Sequence, residues 1–399
     1  MAKKYLNLNV YDAAIERISY VFDNFPKIYL SFSGGKDSAV MLHMVMEEAI
    51  KRDRKIGVLF VDLEAQYKIT IEHIQQMYDL YASHIDPYWV SLPIALRNAV
   101  SQYQPKWTAW GDDVEWVRQP PKMAITDRKY FPFYHYDMEF EEFVPKFGEW
   151  YGQGKLTACF VGIRSDESLN RYRTIVSNKK SMFEGKGFTT WCGKGVYNVY
   201  PIYDWKTQDI WTYNAKFNQP YNRLYDYMHL AGLTIHQMRI CQPYGDDQRK
   251  GLWLFHIIEP ETWAKIIARV NGANQGAMYS LEKGNIMGNI KIDKPEGHTW
   301  ESFAQMLLAS MPDKTKEHFE NKIAVFLKWY EDRGYPRGIP DEASVKDEAG
   351  KKMPSWRRIC KALLRNDYWC KGLSFSQTKS EAYEKYQKLM KRRRLTWRL

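Results

Sequence analysis

Ser33-Gly34-Gly35-Lys36-Asp37-Ser38 stands between an apolar run, Lys27 to Phe32, and a helical pattern from Ala39 to Ile50. A short strand, a glycine turn and a helix N-terminus together make a phosphate cradle, because the first amides of a helix lack partners within it. Gly34 and Gly35 let the backbone approach an anion without a Cβ clash. Ser33 and Ser38 add hydroxyl donors and Lys36 adds a point charge. Asp37 is unusual in an anion cradle; its physical uses are as a metal ligand or as an internal brace of the loop. The spacing is not that of the common P-loop, which places four residues between its first glycine and the Gly-Lys pair. The stretch points to a nucleotide or another phosphorylated ligand and leaves the reaction open.

Outward from the loop, Ile28–Phe32 and Ile56–Val61 read as strands whose continuous apolar character fits a parallel sheet covered on both faces. Val40, Met41, Met44, Val45 and Ala49 form a helical stripe between them, and Ile69–Tyr81 gives a second helix. Tyr88–Leu92 and Ala158–Ile163 are candidate third and fourth strands. This alternation predicts an α/β fold, an open and mostly parallel sheet with helices on both faces. From Pro93 to Pro145 the rhythm breaks. Trp107, Trp110, Trp116 and Tyr130-Phe131-Pro132-Phe133-Tyr134 suggest an aromatic insertion closing over the sheet edge. Lys179–Gly195, rich in Gly and Lys, reads as a mobile loop, and Thr207 as the cap of a following helix. Helices are also expected at Pro260–Val270, Phe303–Leu308 and Ile323–Tyr330. The expected organisation is a nucleotide-binding domain over 1–250 with an insertion at about 93–150, a helical extension over 251–335 and a basic region over 351–399.

The composition excludes several classes. Of 399 residues, 45% are hydrophobic and 26% charged, a globular balance. No apolar stretch has the length of a membrane span, and the basic N-terminus lacks a signal-peptide core. Five cysteines in a chain of this length argue against a disulfide scaffold and for a reduced, cytoplasmic setting. The net charge of +11 is unevenly placed: from Lys351 to Leu399 there are 15 Lys and Arg against three acidic residues, so the first 350 residues are nearly neutral. A basic, aromatic-interleaved end such as Lys385 to Arg398 suits nonspecific contact with nucleic-acid phosphates, an acidic partner, or an ordinary solvated face.

The loop at 33–38 after a strand resembles the PP-loop of the adenine nucleotide α-hydrolase superfamily, which includes ATP pyrophosphatases and phosphoadenylyl-sulfate (PAPS) reductases. Three further segments resemble the reductase branch: Phe60-Val61-Asp62-Leu63-Glu64, Val161-Gly162-Ile163-Arg164-Ser165-Asp166-Glu167-Ser168 with Arg171 and Arg173 beyond, and Tyr200-Pro201-Ile202-Tyr203-Asp204-Trp205. The long aromatic middle and basic end look like a reductase-like subfamily, some of whose members are described as co-regulators acting with a ParB-like partner.

The resemblance implies a nucleotide, ATP or PAPS, held by Ser33, Gly34, Gly35, Lys36, Asp37, Ser38, Asp62, Gly162, Arg164, Glu167 and Arg173. Lys36, Arg164 and Arg171 would act on the reacting oxyanions, Arg being suited to bidentate contacts. Arg164 has the alternative of a buried brace paired with Asp166, Glu167 or Asp204. Asp37 and Asp62 are the candidates for Mg²⁺, with a helix cap as the other use of Asp62. The reductases carry a cysteine in a C-terminal Glu-Cys-Gly-Leu-His motif; here Trp369-Cys370-Lys371-Gly372-Leu373 lacks both the Glu and the His. The paired cysteines of iron–sulfur reductases are missing too, so no iron–sulfur cluster is expected. The expected activity is cleavage or transfer at the α-phosphate, with pyrophosphate released if ATP is used. The alternatives are a nucleotide-sensing transcriptional co-regulator that binds a partner and DNA, and a PAPS reductase with an atypical thiol. His236-Gln237-Met238-Arg239 and Gln242-Pro243-Tyr244-Gly245-Asp246-Asp247 form a second polar cluster, either a substrate-side contact or loop hydrogen bonding. Cys159, inside a predicted strand, reads as a core residue.

Overall fold

Apolar runs become strands here because helices cover both faces of the sheet. The computed structural model describes residues 7–100, 106–177, 181–245, 252–270, 273, 292, 294, 295, 297–311, 313–364, 367 and 370–375. The chain divides into two compact units, the first comprising 1–97 and 106–270, the second 98–105 and 271–399. The basic segment 376–399, Asp246-Asp247, Asn271-Gly272 and Trp369 lie outside the described residues.

In the first unit, α1 (Val10–Asn24) precedes β1 (Lys27–Ser31), α2 (Lys36–Lys51), β2 (Ile56–Val61), α3 (Lys68–Leu80) and β3 (Ile85–Val90). β4 (Ile94–Arg97), β5 (Lys106–Ala109) and β6 (Met138–Glu139) form a small second sheet, and α4 (Phe140–Gly152) leads back to β7 (Thr157–Val161). Then come α5 (Leu169–Val176), β8 (Thr189–Gly193), β9 (Val196–Val199), α6 (Thr207–Phe217), α7 (Leu224–Leu230), α8 (Trp253–Ile258) and α9 (Pro260–Arg269). The main sheet has the order β3-β2-β1-β7-β9-β8. Every pair in it is parallel except β8 with β9. All six residues of β2 are buried, as a central parallel strand requires. Met41, Met44, Val45 and Ala49 of α2 pack into the same core as Ile28, Leu30, Val58 and Phe160.

The insertion builds an aromatic layer. Phe147 lies 5.3 Å from Tyr29 and 5.2 Å from Tyr88, while Phe131 lies 4.9 Å from Trp150, ring centre to ring centre. Edge-to-face geometry prevails among these rings, the arrangement that ring quadrupoles favour. Two local expectations are corrected. Lys179–Gly195 is not a mobile loop over its described part: residues 189–193 form the outer strand β8, hairpinned onto β9 through Gly193 and Gly195, both at positive φ. Phe183, packed 4.6 Å from Phe25, anchors the approach to that strand, a contact that Gly and Lys content conceals. Thr207 is the first residue of α6 rather than its cap. The start is closed by the Asp209 side chain, which accepts from the Lys206 N–H at 2.6 Å.

The second unit is helical where described. Helices Trp300–Ala309, Asp313–Glu331 and Trp356–Leu364 share a core of Trp300, Phe303, Phe319, Phe326, Ile359 and Leu363. Thr299 and Ser302 form a reciprocal capping box on the first of these. The Glu348 carboxylate accepts from Ser355 Oγ at 2.6 Å, from Arg357 Nε at 3.1 Å and from Lys361 Nζ at 3.0 Å. Burial opposes the charge on Glu348, but these donors and the Ala343 N–H hold its pKa down to about 2. Among the described residues no helix is long and apolar enough to cross a membrane.

Candidate nucleotide site

The chain runs from β1 outward through β2 to β3, then returns to place β7 on the other side of β1. The order therefore reverses between β1 and β7. In open α/β sheets ligands bind outside the carboxyl ends of the strands at such a switch point. The two loops that emerge there are 33–38 after β1 and 162–168 after β7.

The first loop is shaped by glycine. Gly34 has φ +71°, and a Cβ there would lie 2.8 Å from Ile74 Cδ1. Gly35 caps α2 in an extended conformation and has no side chain of its own to bond the helix start. Ser33 Oγ and Ser38 Oγ are 2.9 Å apart, and Ser38 Oγ donates to the Gly35 carbonyl at 3.0 Å, so the hydroxyls brace the turn. Asn222, fully buried, donates from Nδ2 to the Gly34 carbonyl and to Thr70 Oγ1, both at 3.0 Å. The Lys36 N–H donates to Tyr225 Oη at 3.0 Å. Asn222 and Tyr225 were invisible to sequence reasoning; the only hint is a polar Asn set among aromatics after Pro220.

The charged groups are paired in a chain. Lys36 Nζ lies 3.1 Å from Asp37 Oδ2, and Asp37 Oδ1 accepts from Arg164 Nε. The guanidinium of Arg164 also donates to Asp166 Oδ1, and it is 1% exposed. Both Asp37 and Arg164 thus take the bracing option among their alternatives. Asp204 pairs instead with Arg17, through contacts of 2.8 and 2.7 Å. Glu167 Oε2 sits 2.9 Å from Arg171 Nη1, and the Glu167 carbonyl accepts from Arg239 at 2.6 Å. Burial pushes the Glu167 carboxyl above its ordinary range; Arg171, Lys36 and Arg164 pull it back, while Asp37 adds to the rise. Lys36, Asp37, Arg164, Glu167 and Arg171 are therefore one electrostatic cluster. Arg173 lies on α5 and is exposed.

Gly162 has a different reason to be glycine. A Cβ there would stand 2.9 Å from Ser38 Cα and 3.1 Å from the Asp37 carbonyl carbon, so its absence lets β7 press against the start of α2.

Asp62, the residue after β2, is fully buried, with Oδ2 accepting from Trp89 Nε1 at 2.8 Å and from Ser91 Oγ at 3.4 Å. Its Oδ1 accepts from the Glu64 N–H at 3.0 Å and from Arg118. Four donors leave this carboxylate no free lone pair directed at a cation, whereas Asp37 is engaged by two, Lys36 and Arg164. The donor set at Asp62 does not fit direct ligation of Mg²⁺. Among the described residues no group of three or more His, Cys, Asp or Glu is placed to hold a metal ion.

Next to Asp62, Glu64 is fully buried and accepts from the Trp110 and Val117 amides at 2.6 and 3.0 Å, as well as from Arg269. This tie between the insertion and α9 escaped sequence reasoning. In the second polar cluster Arg239 meets the site through Glu167, whereas His236 is exposed.

Fold and site define a PP-loop α/β protein of the adenine-nucleotide-binding kind. The chain belongs to the phosphoadenosine phosphosulfate reductase domain family, whose profile matches residues 27–229. A domain of unknown function, DUF3440, matches residues 232–337 and 335–384. The uncharacterized protein YbdN of Escherichia coli is 48% identical over 395 residues, covering 98% of this chain and 97% of that protein. Adenosine 5′-phosphosulfate reductase 2 of Bacillus subtilis is 22% identical over 227 residues, 57% of this chain and 78% of the relative. The crystal structure of PAPS reductase from Candida auris in its phosphate complex covers 57% of this chain and 94% of that one. Its TM-score is 0.31 at 13% identity, too distant to carry an inference.

Proposed function

We propose that the protein binds an adenine nucleotide, ATP or PAPS, at the 33–38 loop and acts on it at the α-phosphate, releasing pyrophosphate when ATP is the substrate. The observation that carries this reading is the start of α2. It is a helix N-terminus whose cap residue is a glycine, opened by two glycines and set at the switch point of the sheet. Loop amides and Lys36 would stabilise the charge that grows on the polyphosphate while an acceptor oxyanion attacks in line, a reaction that needs position and electrostatics more than a protein nucleophile. Arg164 acts through Asp37, holding the loop and leaving Lys36 in place. Arg171, half exposed and paired with Glu167, would contact the reacting oxyanion. No step depends on a protein-ligated metal.

Thiol reduction is the weaker reading. Burial raises the thiol pKa of Cys159 and of Cys360 to about 12, and raises that of Cys192 as well, so none of the three is a ready thiolate. Cys370 is fully buried in the second unit.

Purified protein incubated with ATP and Mg²⁺, with and without sulfate or other oxyanion acceptors, should release pyrophosphate, and Lys36→Ala should abolish the release. Nucleotide binding with no turnover under any acceptor would instead favour the co-regulator, a cytoplasmic sensor that docks a ParB-like partner and meets nucleic acid through its basic end. The charge asymmetry of the sequence supports that second reading.

A further inference from the structure

Tyr225 is 3% exposed, and its hydroxyl oxygen takes the N–H of Lys36, the first residue of α2. A phenol has a proton to give as well as lone pairs to receive with. Among the described residues, no hydrogen bond is donated by this hydroxyl. Burial raises the phenol pKa, with Asp37, Cys241 and Glu167 adding to the rise and the Lys36 N–H opposing it, so the group stays a donor at any physiological pH.

The ring is held from several sides. Trp211 meets it edge-on at 5.5 Å, Lys36 Nζ lies 5.5 Å from its centre, and the Asn222 side chain ties the residues just before it to Gly34 and Thr70. The hydroxyl is thus fixed at the mouth of an anion cradle with an unspent proton.

We infer that Tyr225 is a phosphate-binding residue, its O–H donating to an oxygen of the phosphate or phosphosulfate group seated at the start of α2. The Lys36 N–H polarises the hydroxyl, and the hydroxyl passes that polarity on, so the helix N-terminus reaches the ligand through a chain of two hydrogen bonds. The inference rests on the nucleotide reading above and names a side chain that reading does not use.

Tyr225→Phe keeps the ring and removes the donor. Binding of ATP, inorganic pyrophosphate and adenosine to the full-length protein and to this variant is compared by calorimetry, with the unliganded unfolding midpoint as a check on folding. A lost hydrogen bond to a charged oxygen predicts that ATP and pyrophosphate bind roughly tenfold or more weakly while the adenosine affinity holds. Unchanged affinity for ATP and pyrophosphate, or an equal loss for all three ligands, overturns the assignment. If the native protein binds none of the three, PAPS takes the place of ATP with the same loss expected in Tyr225→Phe; if PAPS does not bind either, the nucleotide reading itself fails, a result distinct from the others.

Discussion

The guanidinium of Arg269 and the carboxylate of Glu64 form a bidentate pair at 2.8 and 3.1 Å across 205 residues of sequence. Glu64 is fully buried and also accepts two backbone amides of the insertion, so its charge is satisfied only while Arg269 stays in place. Removing one partner of a buried pair strands the other and typically costs about 3–5 kcal/mol. Arg269→Ala should therefore lower the unfolding free energy by about that amount in urea denaturation. Arg269→Lys should recover only part of it, since Lys cannot make the bidentate contact.

Gly162 predicts a second outcome. A Cβ at this position would press on the backbone of Ser38 and Asp37, which cannot move aside as a flexible side chain can. Gly162→Ala should push the start of α2 away from β7, at a stability cost of about 1–3 kcal/mol. The larger effect should be on ligand binding, with nucleotide affinity falling more than tenfold by calorimetry. Gly187→Ala, where a Cβ would meet nothing within 4 Å, is the control and should leave both quantities unchanged.

His73 gives the first unit a pH signature. It is buried on α3 with neither ring nitrogen hydrogen-bonded among the described residues, and burial, followed by the nearby His43, lowers its pKa from 6.5 to about 4. Between those values the unfolded chain binds a proton that the folded chain refuses, so the unfolded state gains as pH falls. The stability associated with His73 should be complete above about pH 6.5, decline down to about pH 4, and level off below it. His73→Leu should flatten this part of the profile in denaturation measured from pH 7.5 to 4, and a variant profile parallel to the native one would contradict the assignment.

The sheet was legible because burial on both faces writes itself as unbroken apolar runs. Ile56–Val61 appears in the structure with the boundaries the sequence suggests, and the run before Ser33 became β1. The cradle was legible because two glycines at a strand–helix junction have few other uses. What stayed hidden depends on partners far along the chain. Arg164 had two readings until the fold set Asp37 and Asp166 against its guanidinium. Asp62 lost its role as an open ligand only when Trp89, Ser91 and Arg118 met its oxygens. Asn222 and Tyr225 carry no motif, since a clamp on a carbonyl 188 residues away leaves no local periodicity. The edge strand β8 was masked by the glycines of its own turn.

If the start of α2 holds the phosphates of an adenine nucleotide, binding must depend on Lys36, its first residue. Calorimetric titration of the full-length protein with ATP and with PAPS, repeated on Lys36→Ala, tests it directly. At least one of the two should bind saturably and one-to-one, at least tenfold more weakly in the variant because a buried cation at the cradle is lost. Absence of binding by the native protein, or equal affinity in Lys36→Ala, would contradict it.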